Sequence, residues 1–393
     1  MTILAAILTV LACLPAVVWI TRHLLLTSEC RHGFALTADS PGPPADPPRV
    51  SVVVAAKDEQ IAIEPCIRSL LDQDYPNYEL IACDDRSTDR TPEILARIAA
   101  ENPRLRLMKV ERLPEGWCGK NNAMQTAIAQ SDGEWIVMID ADARQVSRRT
   151  LSVAVQCATD MGADIFSILP TLEMKGFWEN VIQPVCGGVL MIWFNPQKVN
   201  SPRHQNAYAN GAFMMIRRSA YNAIGTHEAV RMSLNEDMDM ARMVKERGLN
   251  VRVVRAMGLY ICRMYYGCRS TMRGWSRIFY GTFGTLKRLT ISLVVMAVMG
   301  WLPYVAAALG LSLAWTGAAP AGWWLACGLV GLAGVALQLS VIYRFYKMVG
   351  TPRWVTWTYP LGCLMAMIVL VQSLSRLKRG SKVTWRGTTY KRK

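Results

Sequence analysis

Gly133-Glu134-Trp135-Ile136-Val137-Met138-Ile139-Asp140-Ala141-Asp142 decides the fold, because an apolar run ends abruptly in two carboxylates. Trp135 to Ile139 reads as a buried strand, and it carries Asp140 and Asp142 to the carboxyl end, where open α/β sheets place their ligands. Two carboxylates one residue apart on a turn suit a hard divalent cation that also holds a diphosphate, which points to nucleotide chemistry. Asp-x-Asp alone fits a solvated turn equally well, so the neighbouring elements decide.

Working outward, Val50 to Ala56 is a β-branched run followed by Lys57-Asp58-Glu59, then by apolar residues at Ile63, Ile67, Leu70 and Leu71 with helical spacing. Tyr78 to Cys83 is the next strand, and it too ends in acids, Asp84 and Asp85. Thr91 is expected to cap a helix with Pro92 at its first position, ended by Asn102-Pro103. Leu105 to Val110 predicts a third strand, a loop over Pro114 to Lys120, and a helix from Asn121 to Ala129. Gly119-Lys120 is not a P-loop, since Pro114 holds the first glycine position and no Ser or Thr follows the lysine. The alternation predicts a mostly parallel, Rossmann-like α/β sheet, continued by a helix at Ser147 to Asp160 and a strand at Ile165 to Leu169. Downstream, Asn210 to Arg218 reads as a strand entered through Gly211, and Glu236-Asp237-Met238-Asp239 opens a helix. Acids at a helix start also serve as caps and dipole complements, the reading that suits Asp239.

The 393 residues are 52% hydrophobic, and the excess lies at the ends. Thr2 to Ile20, Leu289 to Trp315, Ala321 to Tyr343 and Val355 to Leu374 lack charge over membrane-relevant lengths. The expected layout is an anchor at 1–21, a Pro-rich linker at 22–48, a soluble-looking domain at 49–280, membrane segments at 281–375 and a basic tail at 376–393. Arg22, His23 and Arg31 follow the first stretch, the reverse of a signal peptide's charge order, so it reads as an uncleaved anchor with the central domain in the cytoplasm. The tail belongs inside by charge, which needs an even number of crossings; Pro303 and Pro360 each interrupt an apolar stretch, and one of the two is expected to be re-entrant or interfacial. Phe177 to Phe194 reads either as a helix in the interface plane or as a buried core helix. Net charge is +15, but much of it flanks membrane segments, so anionic headgroups explain it better than nucleic acid. The eleven cysteines form no Cys-x-x-Cys pair and no Cys/His cluster, which points to a reducing compartment rather than to zinc or disulfides.

From Val50 to Trp275 the chain resembles the family 2 glycosyltransferases, inverting enzymes with a GT-A fold, in their membrane-anchored, lipid-glycosylating branch. The resemblance rests on landmarks in family order: Val50 to Glu59, Ser69-Leu-Leu-Asp-Gln-Asp-Tyr-Pro76, Asp84-Asp-Arg-Ser-Thr-Asp89, Asp140-Ala-Asp142, Asn210-Gly-Ala-Phe213 and Glu236-Asp237. Gly116-Trp-Cys-Gly-Lys120, Arg273-Gly-Trp-Ser276 and Val383-Thr-Trp-Arg-Gly387 look like the subgroup acting on hopanoid, carotenoid or ceramide-like acceptors. Ala55 stands where the family usually has proline and Asp58 where it has asparagine. Gly274 breaks the Gln-x-x-Arg-Trp motif of processive synthases, which favours transfer of a single sugar.

The resemblance implies a nucleotide-sugar donor, a membrane lipid acceptor and Mn²⁺ or Mg²⁺. Glu59, Asp84 and Asp85 are then expected at the nucleoside, Asp140 and Asp142 at the metal, Lys120, Arg273 and Trp275 at the diphosphate, and Asp237 as the general base, with Glu236 next in line. Lys120 fits equally a helix-start surface residue, and Arg273 with Trp275 an interfacial belt. A processive polysaccharide synthase, a polyprenyl-phosphate sugar synthase and a nucleotide-binding membrane scaffold or transporter are the competing assignments.

Overall fold

The computed structural model describes residues 2–32, 34–377, 382–385 and 388–391. Within the basic tail, 378–381, 386–387 and 392–393 lie outside the described residues, so the expected Val383 to Gly387 motif is only partly covered. The chain divides into two units. An α/β unit comprises Phe34–Glu173 and Met191–Met264 with a C-terminal hairpin, and a helical unit takes the N-terminal helix, Met174–Leu190 and the chain from Tyr265.

The strands of the α/β unit are β1 (Ala35–Thr37), β2 (Val50–Ala56), β3 (Tyr78–Asp85), β4 (Leu105–Val110), β5 (Trp135–Asp140), β6 (Ala143–Gln145), β7 (Ile165–Leu169), β8 (Thr171–Leu172), β9 (Met214–Arg217), β10 (Val251–Met257) and β11 (Tyr260–Cys262). Eight form one sheet in the order β1-β10-β7-β9-β5-β2-β3-β4. All pair in parallel except β9, which runs against both β5 and β7. Both faces are covered, so β2 and β5 bury nearly every residue, as a continuous apolar run requires. The helix Ile63–Leu71 buries Ile63, Cys66, Ile67, Leu70 and Leu71, one stripe at helical spacing. Connections run outward from β2 to β4 and return on the other side of β2 at β5, which puts the topological switch point at the carboxyl ends of β2 and β5. A second sheet, β6-β11-β8, lies just beyond β5 in the chain.

Two local readings are corrected. In the helix Thr91–Glu101 the N-cap position falls on Arg90, whose side chain makes no capping bond, and Asp89 Oδ1 accepts from the Thr91 N–H at 2.9 Å. Thr91 Oγ1 is taken instead by the Glu59 N–H at 2.8 Å. The first helix runs over Thr2–His32 rather than stopping near residue 21, since neither glycine nor proline interrupts Ala16 to His32.

In the helical unit, four helices are long and apolar enough to cross a membrane. Neither proline breaks its helix. Pro360 lies in the first turn of Tyr359–Ser375, where its missing N–H costs nothing, and Pro303 lies inside the continuous helix Leu286–Trp315. Pro303 cannot bond the Met299 carbonyl four residues back, and that oxygen is served by Gln338 Nε2 at 2.7 Å and Trp19 Nε1 at 3.3 Å. Glycines let the helices meet backbone to backbone: a Cβ on Gly331 would lie 2.3 Å from Ala307 N, and one on Gly310 2.3 Å from Gly328 N. The N-terminal helix runs parallel to Ala321–Met348, with Thr9 reaching Trp323 O at one end and His23 meeting Arg344 at the other. Phe177 to Leu190 is a packed helix, burying Val181, Ile182, Val185, Cys186 and Val189; Gly362 receives it, since a Cβ there would lie 2.6 Å from Val181 O.

Candidate active site

At the switch point, four charged side chains surround Gly211. Lys120, in the first turn of the helix Gly119–Ile128, places Nζ 2.6 Å from Asp140 Oδ1 and 2.6 Å from Glu236 Oε1. Gly211 donates its N–H to Asp237 Oδ2 at 2.8 Å, and a Cβ on Gly211 would sit 3.3 Å from Lys120 Nζ, 3.4 Å from Asp237 Oδ2 and 3.5 Å from Asp140 Oδ2. Asp140 ends β5, and Glu236 and Asp237 open the helix Glu236–Glu246, so three distant segments converge. The structure thus brings together Lys120, Asp140, Glu236 and Asp237. Gly211, read from sequence as a strand entry, is the small residue that makes room for them.

Their electrostatics follow from burial. Burial pushes the Asp237 carboxyl up and the Glu236 charge pushes it further, to about 7. Burial alone would lower Lys120, but Asp140, Glu236 and Asp237 outweigh it and hold the ammonium charged.

Asn121 is a residue that sequence reasoning passed over. Its side chain is buried, and Nδ2 donates to the carbonyls of Val230 at 2.8 Å, Arg231 at 3.3 Å and Ser233 at 3.0 Å. The Cys118 N–H adds a bond to Arg231 O at 2.7 Å. The segment leading into Glu236 and Asp237 is therefore tied to the helix that carries Lys120. Its place directly after Gly119-Lys120 was the available signal.

Asp142 lies on the turn between β5 and β6, where Cys262 Sγ is 3.3 Å from its Oδ1 and the Arg263 N–H donates to its carbonyl at 3.2 Å. Asp140 and Asp142 supply two carboxylates, and no group of three metal-ligating side chains occurs among the described residues. Two carboxylates fit Mg²⁺ or Mn²⁺ that takes its remaining ligands from substrate phosphates and water.

Asp84 and Asp85, expected together at the nucleoside, end β3. Consecutive residues of β3 face opposite sides of the sheet. Asp84 is 2% exposed and neither carboxylate oxygen has a hydrogen-bond partner, an orphaned acceptor that suits a ligand N–H. Asp85 is held by Arg86 at 2.8 and 3.1 Å and crowds Gly119, where a Cβ would lie 2.1 Å away. Lys57 Nζ bonds the carbonyls of Asp85 and Arg86, each at 3.1 Å, joining the ends of β2 and β3. Asp58 adopts φ 53° and accepts from the Thr88 N–H at 2.8 Å. Asn and Asp both tolerate that left-handed conformation, which accounts for aspartate at this position. Glu59 follows, half-buried.

Arg273 and Trp275 belong to the helical unit, on Gly267–Phe283. Arg273 is exposed, whereas Trp275 is buried against Phe279 with ring centroids 5.6 Å apart. Gly274 is required locally, since a Cβ would meet the Tyr265 ring at 2.1 Å.

The mostly parallel sheet, with acids at the switch point, is that of the GT-A glycosyltransferases. Residues 51–225 of the α/β unit match the family described as Glycosyl transferase family 2. Over 196 residues the chain is 31% identical to a beta-monoglucosyldiacylglycerol synthase of Nostoc sp., covering 49% of this chain and 40% of that protein. The Synechocystis sp. beta-monoglucosyldiacylglycerol synthase is 29% identical over 198 residues, 49% of this chain and 39% of its own length. The chain thus spans well under half the length of these curated relatives. A solved mannosyltransferase from Pyrobaculum calidifontis, in complex with GDP-Man and Mn²⁺, superimposes with a TM-score of 0.56 at 22% identity, over 94% of this chain and 98% of that one. At that identity the likeness is one of fold.

Proposed function

We propose that the protein transfers one sugar, with inversion, from a nucleotide-sugar donor to a hydroxyl of a membrane lipid, with its catalytic unit on the cytoplasmic side. The carrying observation is the cluster of Lys120, Asp140, Glu236 and Asp237 around Gly211 at the switch point of a family 2 domain. The lipid acceptor is supported by the four apolar helices and by relatives named as glucosyldiacylglycerol synthases, which makes glucose and diacylglycerol the first substrates to try.

In this reading Asp84 accepts from the base, with Glu59 and Asp85 framing the nucleoside pocket. Asp142 and Asp140 hold Mn²⁺ or Mg²⁺, which when bound neutralises charge on the departing diphosphate. Lys120 orients Asp140 and keeps a positive charge beside the same phosphates. Asp237 takes the proton from the acceptor hydroxyl as the anomeric carbon develops oxocarbenium character, a contribution of roughly 10²–10⁴-fold. Glu236, 2.6 Å from Lys120 Nζ, adds its charge to burial in raising the proton affinity of Asp237.

The test is turnover of UDP- and GDP-sugars by detergent-solubilised protein with diacylglycerol and total membrane lipid, with and without EDTA. Nucleotide release with a new glycolipid, abolished by EDTA and by Asp142→Ala, is the expected result. Failure of every donor to bind or turn over would reject the reading.

A further inference from the structure

The charge of the chain is divided at one point. Residues 247–393 contain 20 Lys and Arg and neither Asp nor Glu, whereas residues 1–246 contain 24 Lys and Arg and all 29 acids. The cations of the apolar helices from Leu286 onward therefore have no carboxylate in their own part of the chain, and the N-terminal helix carries one acid, Glu29. Arg344 feels this most. It lies near the C-terminal end of Ala321–Met348, partly buried, with Nη1 donating to Thr27 Oγ1 at 2.7 Å and Nη2 2.7 Å from His23 Nδ1 and 3.3 Å from His23 O. Its Nε is buried with no hydrogen-bond partner, and among the described residues no carboxylate pairs with it. A guanidinium drawn from water toward the edge of an apolar bundle is costly unless an anion joins it.

The surroundings point to what that anion is. Arg22, Lys347 and Arg353 are exposed, and the Arg353 guanidinium lies over the Tyr343 ring, 5.5 Å from its centroid. Trp354 and Trp357, 53% and 75% exposed, follow in the turn Arg353–Thr358. Cations without acids, next to exposed tryptophans at the end of a membrane helix, sit at headgroup depth. Guanidinium donors match a phosphate there.

We infer that the Arg344 end of the helical unit binds the phosphate of an anionic phospholipid. The bound headgroup gives Arg344 its counter-charge and leaves Thr27 and His23 to hold the guanidinium in place. This site is separate from the sugar-transfer residues, and its test does not require that activity.

Full-length protein in detergent is titrated with phosphatidylglycerol or phosphatidylcholine brominated on the acyl chains, and quenching of tryptophan fluorescence is read. The expected result is half-quenching by phosphatidylglycerol at a concentration at least tenfold lower than by phosphatidylcholine, a preference that Arg344→Gln reduces to twofold or less. Equal curves for the two lipids, or a full preference retained by Arg344→Gln, would overturn the inference. Inorganic phosphate in excess should not displace the lipid; displacement would mean a soluble phosphate site and reject the lipid assignment. Should Arg344→Gln fail to fold, the double variant Lys347→Gln/Arg353→Gln, at two exposed positions, is expected to cut the preference at least threefold, and an unchanged preference would count against the site.

Discussion

Gly211 donates its backbone N–H to Asp237 Oδ2 at 2.8 Å, across 26 residues of sequence. The bond aims a helix-borne carboxylate with a fixed backbone group rather than a mobile side chain. Asp237→Asn can keep it by turning its amide oxygen toward Gly211, at the loss of the bond that Oδ1 accepts from the Met238 N–H at 2.8 Å and of the ability to take a proton. Transfer to a lipid hydroxyl should fall roughly 10²–10⁴-fold, with donor affinity within twofold of wild type. Substantial retained turnover would instead indicate a phosphate acceptor, which needs no base.

The pH profile should report the same carboxyl. Burial, then the Glu236 charge, raise Asp237 to about 7, and a base acts only when deprotonated. Activity is therefore present above that value and lost as pH falls through it, about tenfold per unit well below it. The residual activity of Asp237→Asn should lack this limb. A wild-type kcat/KM flat between about pH 5.5 and 8 would contradict the assignment.

Asn121→Ala removes the donor to three carbonyls ahead of Glu236. The Val230 and Arg231 carbonyls keep bonds from the Ser233 and Cys118 N–H groups, so a stability loss of about 1 kcal/mol is expected. Because the freed segment carries the base, kcat should drop more than donor KM rises. Thermal unfolding in detergent together with a kcat and KM split checks both parts, and an unchanged kcat would show that the loop holds itself.

Gly274→Ala pushes a methyl into the Tyr265 ring, whose Cζ lies 2.1 Å from the Cβ position. Overpacking of this kind costs about 1–3 kcal/mol. The double variant Gly274→Ala/Tyr265→Ala should recover part of the loss, measured as the unfolding midpoint of each variant. No shift in the single variant would mean that the ring moves aside freely.

The strands β2, β4 and β7 were legible to the residue, and β5 to within one, because their boundaries are marked in the sequence, by turn residues or by a change from apolar to charged. The reversed direction of β9 was not, since an apolar run has the same periodicity in either direction. Asp140 and Asp142 stood out as acids at the end of an apolar element, whereas Asp237 was singled out only through the family resemblance. The Lys120 bridge did not, because it depends on the helix start, β5 and the Glu236 turn meeting in space. The Asp89 bond at the helix start escaped for a related reason: Asp89 and Thr91 both suit a helix start, and only the meeting of the 57–60 and 85–91 loops decides which is free to serve. Asp84 and Asp85, adjacent in sequence, were read together, and the pleat sends them to opposite faces.

The Pro303 gap bears on how this protein enters a bilayer. Leu286–Trp315 released alone into lipid would carry a bare carbonyl at Met299, since its donors come from Gln338 on the following apolar helix and from Trp19 on the N-terminal one. The proline gap is thus closed only when three helices have met: synthesis that stops after Trp315 leaves this oxygen the longer Trp19 bond alone, and the shorter one waits for Gln338.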